Sequence, residues 1–469
     1  MSITYKIEID NEKIENFMEL VEKVFSAVME SGRDMVRQHM EKLDCELLEQ
    51  RDKKRYRAKG LRKTAVKTKL GTIEYERRIY LDTENNAHVF LLDEAMSSRC
   101  IGLVDEDLCK TIEKMICNQS YRETAESISS TTAQNITHQA VWNIVQKAGE
   151  RAIALSTEPA AAGSVESKIL YEEADGDWLK LQGKDRKKYG TSKEMKIGIA
   201  YDGVLYKEQK NGKIRRKLDN KVAYASFEAV KDFRKHCENS ISRVYNTDEI
   251  ELRVRNGDGA NWIQKAPDCD CICVLDKFHR NKKITECVKN KEIAENLREL
   301  LFQNKFDELL ECIEAYANSA EDSADEEKLR ELYSYYSENR EALAGYYDRN
   351  RTIPPTREPG VIHHARLGSM EGNVFTLIGN RMKGRRACWS IDGGNNLAAL
   401  LCRYYSEADY EQDSVLKHAT DNSFPVLSAA SIKETSGKGY EFSGNVTVPP
   451  NLKWLKNISR TKPLTDCSI

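Results

Sequence analysis

The chain has no long hydrophobic run. Nothing in its 469 residues approaches the ~20 consecutive apolar positions that span a bilayer. The start, MSITYKIEIDNEKIENF, has no apolar core of signal-peptide type. Both absences argue against a membrane protein and set the expectation of a cytoplasmic one. Net charge is also nearly absent: 73 Lys and Arg face 75 Asp and Glu, leaving -2. Attraction of a polyanion by overall charge is excluded, so any such surface must come from local clustering. Also missing is the CxxC spacing of a zinc site among Cys269, Cys271, Cys273, His279 and Cys287. Alternation along a strand turns the first three thiols to one face, expected to be the core-facing one. The odd count of thirteen cysteines reads as reduced thiols rather than a disulfide framework.

What is present is patterned. Residues 11–50 carry apolar positions every three or four residues, the spacing of N-terminal helices. Residues 51–155 hold a basic stretch, RDKKRYRAKGLRKTAVKTKLG, with Lys53, Lys54, Arg55, Arg57, Lys59, Arg62, Lys63, Lys67 and Lys69 around Tyr56. It reads either as a solvated hairpin face or as a phosphate-binding edge, since so many like charges repel unless a polyanion relieves them. Further on, SYRETAESIS and NITHQAVWNIVQKAG give helix, polar turn, N-cap Thr137 and a second helix with Val141, Trp142 and Val145. That is the layout of a helix-turn-helix, and equally of an ordinary helical hairpin. A small-residue linker, STEPAAAGSVESK, closes this region.

From residue 165 to 280 the pattern changes to strands: strand, turn and second strand in KILYEEADGDWLKLQ, a third in EMKIGIAYDGVLY, a helix, then IELRVRNGDG and CDCICVLDKFH. Three antiparallel strands followed by strands alternating with helices is the order of a ribonuclease-H-like fold, a mixed sheet flanked by helices. Residues 281–350 read as an all-helical insertion. The core resumes over 360–415 with GSMEGNVFTLIGNRMKGRRACWS, and 420–469 reads as a loosely ordered tail.

Three acids stand out by position. Asp175 is expected at the end of the first strand of the mixed region, and Asp258, between Gly257 and Gly259, at the end of the fourth. In that fold the two strands are neighbours, so the carboxylates would lie side by side. Glu371 opens a helix whose apolar stripe, Phe375, Ile378 and Met382, puts the glutamate on the sheet-facing side. Two aspartates and a glutamate make an anionic cage suited to Mg2+ or Mn2+. Two such ions serve phosphodiester chemistry. The glycines flanking Asp258 are expected to leave room for metal and polynucleotide. Asp177, on the same face as Asp175, and Asp276, ending the next strand, are alternative ligands.

These residues resemble a known family. EADGDW, NGDGANWI and GSMEGNVFTLIGNRMKGRRACWS are similar to the acid-bearing segments of DDE transposases of bacterial insertion sequences, in the Mutator-like superfamily and its ISLre group, long filed as uncharacterised. DKFH, Asp276 to His279, matches that superfamily's Cys-or-Asp, two residues, His pattern, and a helical insertion before the glutamate is also expected. The resemblance, over about residues 50–410, implies catalytic and metal-binding roles for Asp175, Asp258 and Glu371, with Asp276 and His279 supporting. It implies a bacterial, nucleoid-associated enzyme with two Mg2+ or Mn2+ ions, acting on double-stranded DNA, both element termini and target, as a homo-oligomer. Lys53, Lys54, Arg55, Arg57, Arg62 and Lys63 are candidate DNA contacts. So are Arg381, Lys383, Arg385 and Arg386 on the last basic face, and the pair His363–His364 before the glutamate helix. A domesticated DNA-binding protein and a nuclease of the same fold without strand transfer are the alternatives.

Overall fold

A computed structural model describes residues 14–97, 99–157, 163–209, 211–264 and 271–406. The tail expected at 420–469, part of the linker and Cys269 lie outside the described residues. The N-terminal segment forms one 34-residue helix rather than several, α1 (Phe17–Gln50), capped by the Asn16 side chain on the Glu19 N–H at 3.0 Å. Its C-terminal half buries Met40 and Asp44 against a hairpin of β1 (Tyr56–Thr68) and β2 (Gly71–Asp82). With β3 (Ala87–Val89), α2 (Leu91–Ala95), β4 (Cys100–Ile101) and β5 (Val104–Asp105), these make a sheet in the order β3-β2-β1-β5-β4. Its core is small: Met40, Val66, Ile73, Tyr75, Leu92 and Cys100. Arg77 is fully buried there, which is tolerable because Asp93 pairs with it and Phe90 lies 4.0 Å from its guanidinium.

Next come α3 (Glu106–Ile116), α4 (Tyr121–Thr131) and α5 (His138–Thr157). α4 starts on a full capping box between Ser120 and Glu123. The Thr137 hydroxyl accepts the Ala140 N–H at 3.2 Å at the head of α5. Val141, Ile144, Val145 and Ala148 of α5 are buried in the same core as the central sheet.

The central region runs β6 (Ile169–Lys180), α6 (Gly183–Tyr189), β7 (Ser192–Tyr201), β8 (Gly203–Glu208), β9 (Ile214–Asp219), β10 (Val222–Ser226), α7 (Val230–Ser242), β11 (Leu252–Gly257), α8 (Asn261–Gln264) and β12 (Cys271–Leu275). The main sheet has the order β10-β7-β6-β11-β12. β7 is antiparallel to β6 and to β10, whereas β11 is parallel to β6 and to β12. β8 and β9 form a separate hairpin. The strand, turn and second strand expected over 168–182 are one continuous strand, so Asp175 lies mid-strand and not at an end. Gly176 does not turn the chain. It makes space for Glu194, whose Oε1 would lie 2.1 Å from a Cβ at that position. Tyr171, Ile197, Ile199, Val254, Ile272 and Val274 build the core. The thiols of β12 therefore face the other way from the expected side: Cys271 and Cys273 are only half-buried, with their sulfurs 3.7 Å apart.

Four helices follow, α9 (Lys277–Cys287), α10 (Lys291–Phe302), α11 (Phe306–Asn318) and α12 (Ser323–Glu338), around their own core of Leu297, Leu309, Ile313, Leu332 and Tyr336. The chain then returns to the sheet as α13 (Met370–Val374), a π-helix over Phe375–Lys383 and α14 (Ile391–Tyr405). α14 packs on α5 at Gly149, where a Cβ would come within 2.5 Å of the Asn396 backbone oxygen. The result is a mixed α/β protein with fourteen α-helices among the described residues, none of them long and apolar enough to cross a membrane.

Candidate active site

Side chains alternate across β6, so Tyr171, Glu173, Asp175 and Asp177 share a face. Asp175 meets His279 from the first turn of α9 and Glu371 from α13. One ligand atom from each lies within 4.8 Å of the others. Burial, followed by the Asp258 and Glu371 charges, pushes the Asp175 carboxyl up to about 6, against the lowering effects of the Gly176 N–H and His279. A proton-hungry carboxylate beside two other acids is the electrostatic state that a cation relieves.

Asp177 is placed differently. It is nearly buried, and its partner is the Lys383 ammonium. Asp276 caps α9 by accepting the Phe278 and His279 N–H groups at 2.9 and 3.2 Å, and its Oδ1 lies 3.5 Å from His279 Nδ1. Burial raises the Asp276 carboxyl, but the hydrogen bonds from His279 and Asn256 outweigh this and hold it below the ordinary aspartate value. The same contact with Asp276 raises the His279 imidazole against its burial. At 3.5 Å the carboxylate is a charge contact rather than a hydrogen bond on Nδ1.

Asp258 follows β11 directly and lies outside the close group. The pairing of β11 with β6 ends at Asn256–Glu173, and Asp258 lies just beyond it, where its charge still raises the Asp175 carboxyl. Its carboxylate accepts the Ala260 N–H at 2.8 Å, and its carbonyl accepts the Tyr335 hydroxyl of α12 at 2.6 Å. The flanking glycines do not provide the room that the sequence suggested; packed side chains fill the space beside them. A Cβ on Gly257 would strike Ile263 at 2.4 Å, and Gly259 takes a φ of +94° with Leu275, Tyr335 and Asn339 close by. They permit a tight turn under packed neighbours. Glu371 is exposed, and so is Phe375 at 63%. Ile378 and Met382 of the expected stripe are buried, but the π-helical turns bury Leu377 in place of Phe375.

The residue that sequence reading missed is Glu173. It is 1% exposed and accepts hydrogen bonds from the Tyr201 hydroxyl (2.6 Å), the Asn256 amide (2.8 Å) and the N–H groups of Gly368 and Ser369 (2.8 and 3.0 Å). Those last two N–H groups lead into α13, so Glu173 fixes the start of the Glu371 helix. Asn256 donates as well to Asp276 at 2.9 Å, linking Glu173 to the support of His279. The available signal was its place two residues before Asp175, on the same face.

The basic candidates divide. Lys53, Lys54, Arg57, Arg62 and Lys63 are exposed, and from Arg57 to Lys63 β1 is exposed on both faces. Arg55 is turned inward, bidentate to Asp82 at 2.9 and 3.1 Å, with Glu84 at 3.0 Å. Arg381 is not a surface cation: its Nε donates to the Ile116 carbonyl at 2.8 Å, and its guanidinium lies 5.7 Å from the Tyr121 and Trp389 rings. Lys383 serves Asp177, Arg386 is exposed, and the side chain of Arg385 lies outside the description. His363 is exposed against Tyr206, whereas His364 is held by the Tyr171 hydroxyl at 2.8 Å, with burial lowering its imidazole.

Comparison with known proteins now places the chain. The model of an uncharacterised protein family, UPF0236, matches residues 11–417. The chain belongs to that family. A UPF0236 protein of Caldanaerobacter subterraneus subsp. tengcongensis is 25% identical over 392 residues, covering 82% of this chain and 77% of its own length. Its name carries eleven gene loci of that one genome, and a second such protein, with the same identity and coverage, carries four more. Another relative, from Streptococcus gallolyticus and named for its place in the vanSb 3' region, is 23% identical over 391 residues, covering 82% of each chain. This UPF0236 chain thus has relatives that recur many times within one genome.

Proposed function

We propose that this UPF0236 protein is a DDE transposase with a ribonuclease-H-like catalytic core, which cleaves the DNA ends of its own element and joins them to target DNA. The observation that carries this is the meeting of Asp175, His279 and Glu371 from three distant parts of the chain. The many loci of its relatives support it, since a gene that moves and copies itself accumulates in a genome. Two carboxylates and an imidazole fit a divalent ion that accepts both oxygen and nitrogen, which favours Mn2+ beside Mg2+. Asp258, whose charge raises the Asp175 carboxyl, is the carboxylate that a second ion would add to the set. When bound, such ions supply activation of an attacking hydroxyl and stabilisation of the leaving oxygen.

The chain's own residues provide the framework. Glu173 and Asn256 hold the Glu371 helix and the Asp276 cap in fixed relation, and Asp276 orients His279. The Tyr335 hydroxyl pins the loop of Asp258 from the helical insertion. The exposed cations of β1 would bind phosphates, and the exposed face of α5, with His138, Gln139, Trp142, Asn143 and Lys147, is free to meet a groove. Double-stranded DNA and a second copy of the chain on paired ends are the proposed partners. The test is a strand-transfer reaction with the gene's own flanking DNA, followed by product sequencing. Joined products bearing a constant terminus support the reading. Cleavage without joining indicates a nuclease, and binding with neither indicates a lapsed enzyme.

A further inference from the structure

The β8–β9 hairpin belongs neither to the main sheet nor to the expected DNA contacts. Residues 203–219 hold six Lys and Arg, namely Lys207, Lys210, Lys213, Arg215, Arg216 and Lys217, against Glu208 and Asp219. Asp219 is neutralised by Arg357 at 2.7 Å. The hairpin register sets Lys207 directly opposite Arg215, on the face shared with Lys217. Like charges opposite one another weaken a strand pair unless a counter-charge comes between them. Lys207, Lys213 and Arg215 are exposed. This concentration of charge stands out in a chain whose net charge is -2.

Its position relates it to the acid cluster. The base is rigid: Val204 and Leu218 are buried, Arg357 clamps Asp202 and Asp219, and Val204 exchanges backbone hydrogen bonds with His363 at 2.8 and 2.9 Å. On the other face Tyr206 lies 5.2 Å from the His363 ring. Next to it, Arg216 donates to the Ser369 hydroxyl at 2.6 Å, two residues before Glu371. Arg216 thus ties the hairpin to the segment that leads into Glu371.

We propose that the β8–β9 hairpin is a phosphate-binding arm that holds the backbone of duplex DNA next to the acid cluster, separately from the basic strand β1. This rests on the reading of the site as one that acts on DNA. Lys207, Lys213 and Arg215 supply point charges to the phosphates, and Tyr206 with Arg216, on the opposite face, fixes the hairpin to His363 and to the segment leading into α13.

The experiment is a fluorescence-anisotropy titration of the full chain with a mixed-sequence DNA duplex, in chelator and over a range of salt. Wild type is compared with Lys207→Glu/Arg215→Glu and with the milder Lys207→Gln/Arg215→Gln, which keeps the hairpin if charge reversal harms folding. Each phosphate contact contributes about 0.9 to the log-log salt slope, so losing two should make it shallower by about 1.8, with binding about tenfold or more weaker at low salt. Unchanged slope and affinity in both variants overturns the arm. So does a loss seen with single-stranded RNA and not with the duplex. Chelator keeps this readout independent of the acids. Asp175→Asn binding normally but cleaving like wild type with Mn2+ defeats the enzyme reading and leaves the arm standing. Hairpin variants that bind normally, beside acid-dependent cleavage, defeat the arm alone.

Discussion

Glu173 shows how one buried charge organises a site from behind. Its four donors come from β7, β11 and the approach to α13, so Glu173→Gln turns an amide NH2 toward donors that need an acceptor. Leaving such groups unpaired costs about 2–3 kcal/mol, readable as a lower midpoint in urea unfolding, and cleavage should fall with it because Glu371 loses its anchor. A second buried acid makes a pH prediction. Asp202 is fully buried and its Oδ1 has no hydrogen-bond partner. Burial, and then the Asp219 charge, push its carboxyl up to about 6 from the ordinary 3.8. Between those values the folded chain holds a proton that the unfolded chain has released, so this group's contribution to stability falls as pH rises through that window. Asp202→Asn should remove that fall. Its melting temperature should exceed wild type at pH 8 and approach it near pH 4. A variant more destabilised at pH 8 than near pH 4 would show that the Arg357 pair outweighs the burial.

At the scale of elements, the contact of α5 with α14 depends on Gly149. Gly149→Ala forces a methyl group onto Asn396 backbone, where no side chain can move aside, and should cost about 1–3 kcal/mol in thermal or urea unfolding. The helical period of residues 281–350 and the strands β7, β11 and β12 were legible because apolar spacing carries them, and the neighbour relation of β6 and β11 followed from the fold that their order suggests. Other features failed for identifiable reasons. Asp175–Gly176 reads as a turn, yet it lies inside a straight strand, with the Glu194 side chain over the glycine. The Glu371 segment was read at 3.6 residues per turn, while its π-helical turns move Phe375 into solvent and Leu377 into the core. The β8–β9 hairpin has too few apolar residues to alternate. Its signal was the Asn211–Gly212 turn, with Gly212 at a φ of +74°. Of the site, the acids and DKFH could be picked out by position, but Glu173 and Asn256 acquire their meaning only from strand pairing.

At the scale of the molecule, one continuous core joins α3, α4, α5, the central sheet and α14. A fragment ending at residue 155 would expose Val141, Ile144, Val145 and Ala148, and light scattering should find it aggregated where the full chain is not. The proposed DNA binding therefore requires the intact protein, with basic elements on the same body as the acids. The central claim is that Asp175, His279 and Glu371 form the metal-dependent centre of a DNA-cutting enzyme. The measurement that tests it most directly is cleavage of labelled DNA spanning the gene's own ends, with Mn2+ or Mg2+. Wild type is compared with Asp175→Asn, Glu371→Gln, His279→Ala and, as a control paired with Lys383, Asp177→Asn. The account predicts cation-dependent cutting that falls about a hundredfold or more in the two carboxylate variants, less in His279→Ala, and persists in Asp177→Asn. Full cutting by Asp175→Asn and Glu371→Gln, with chelator making no difference to wild type, would contradict it.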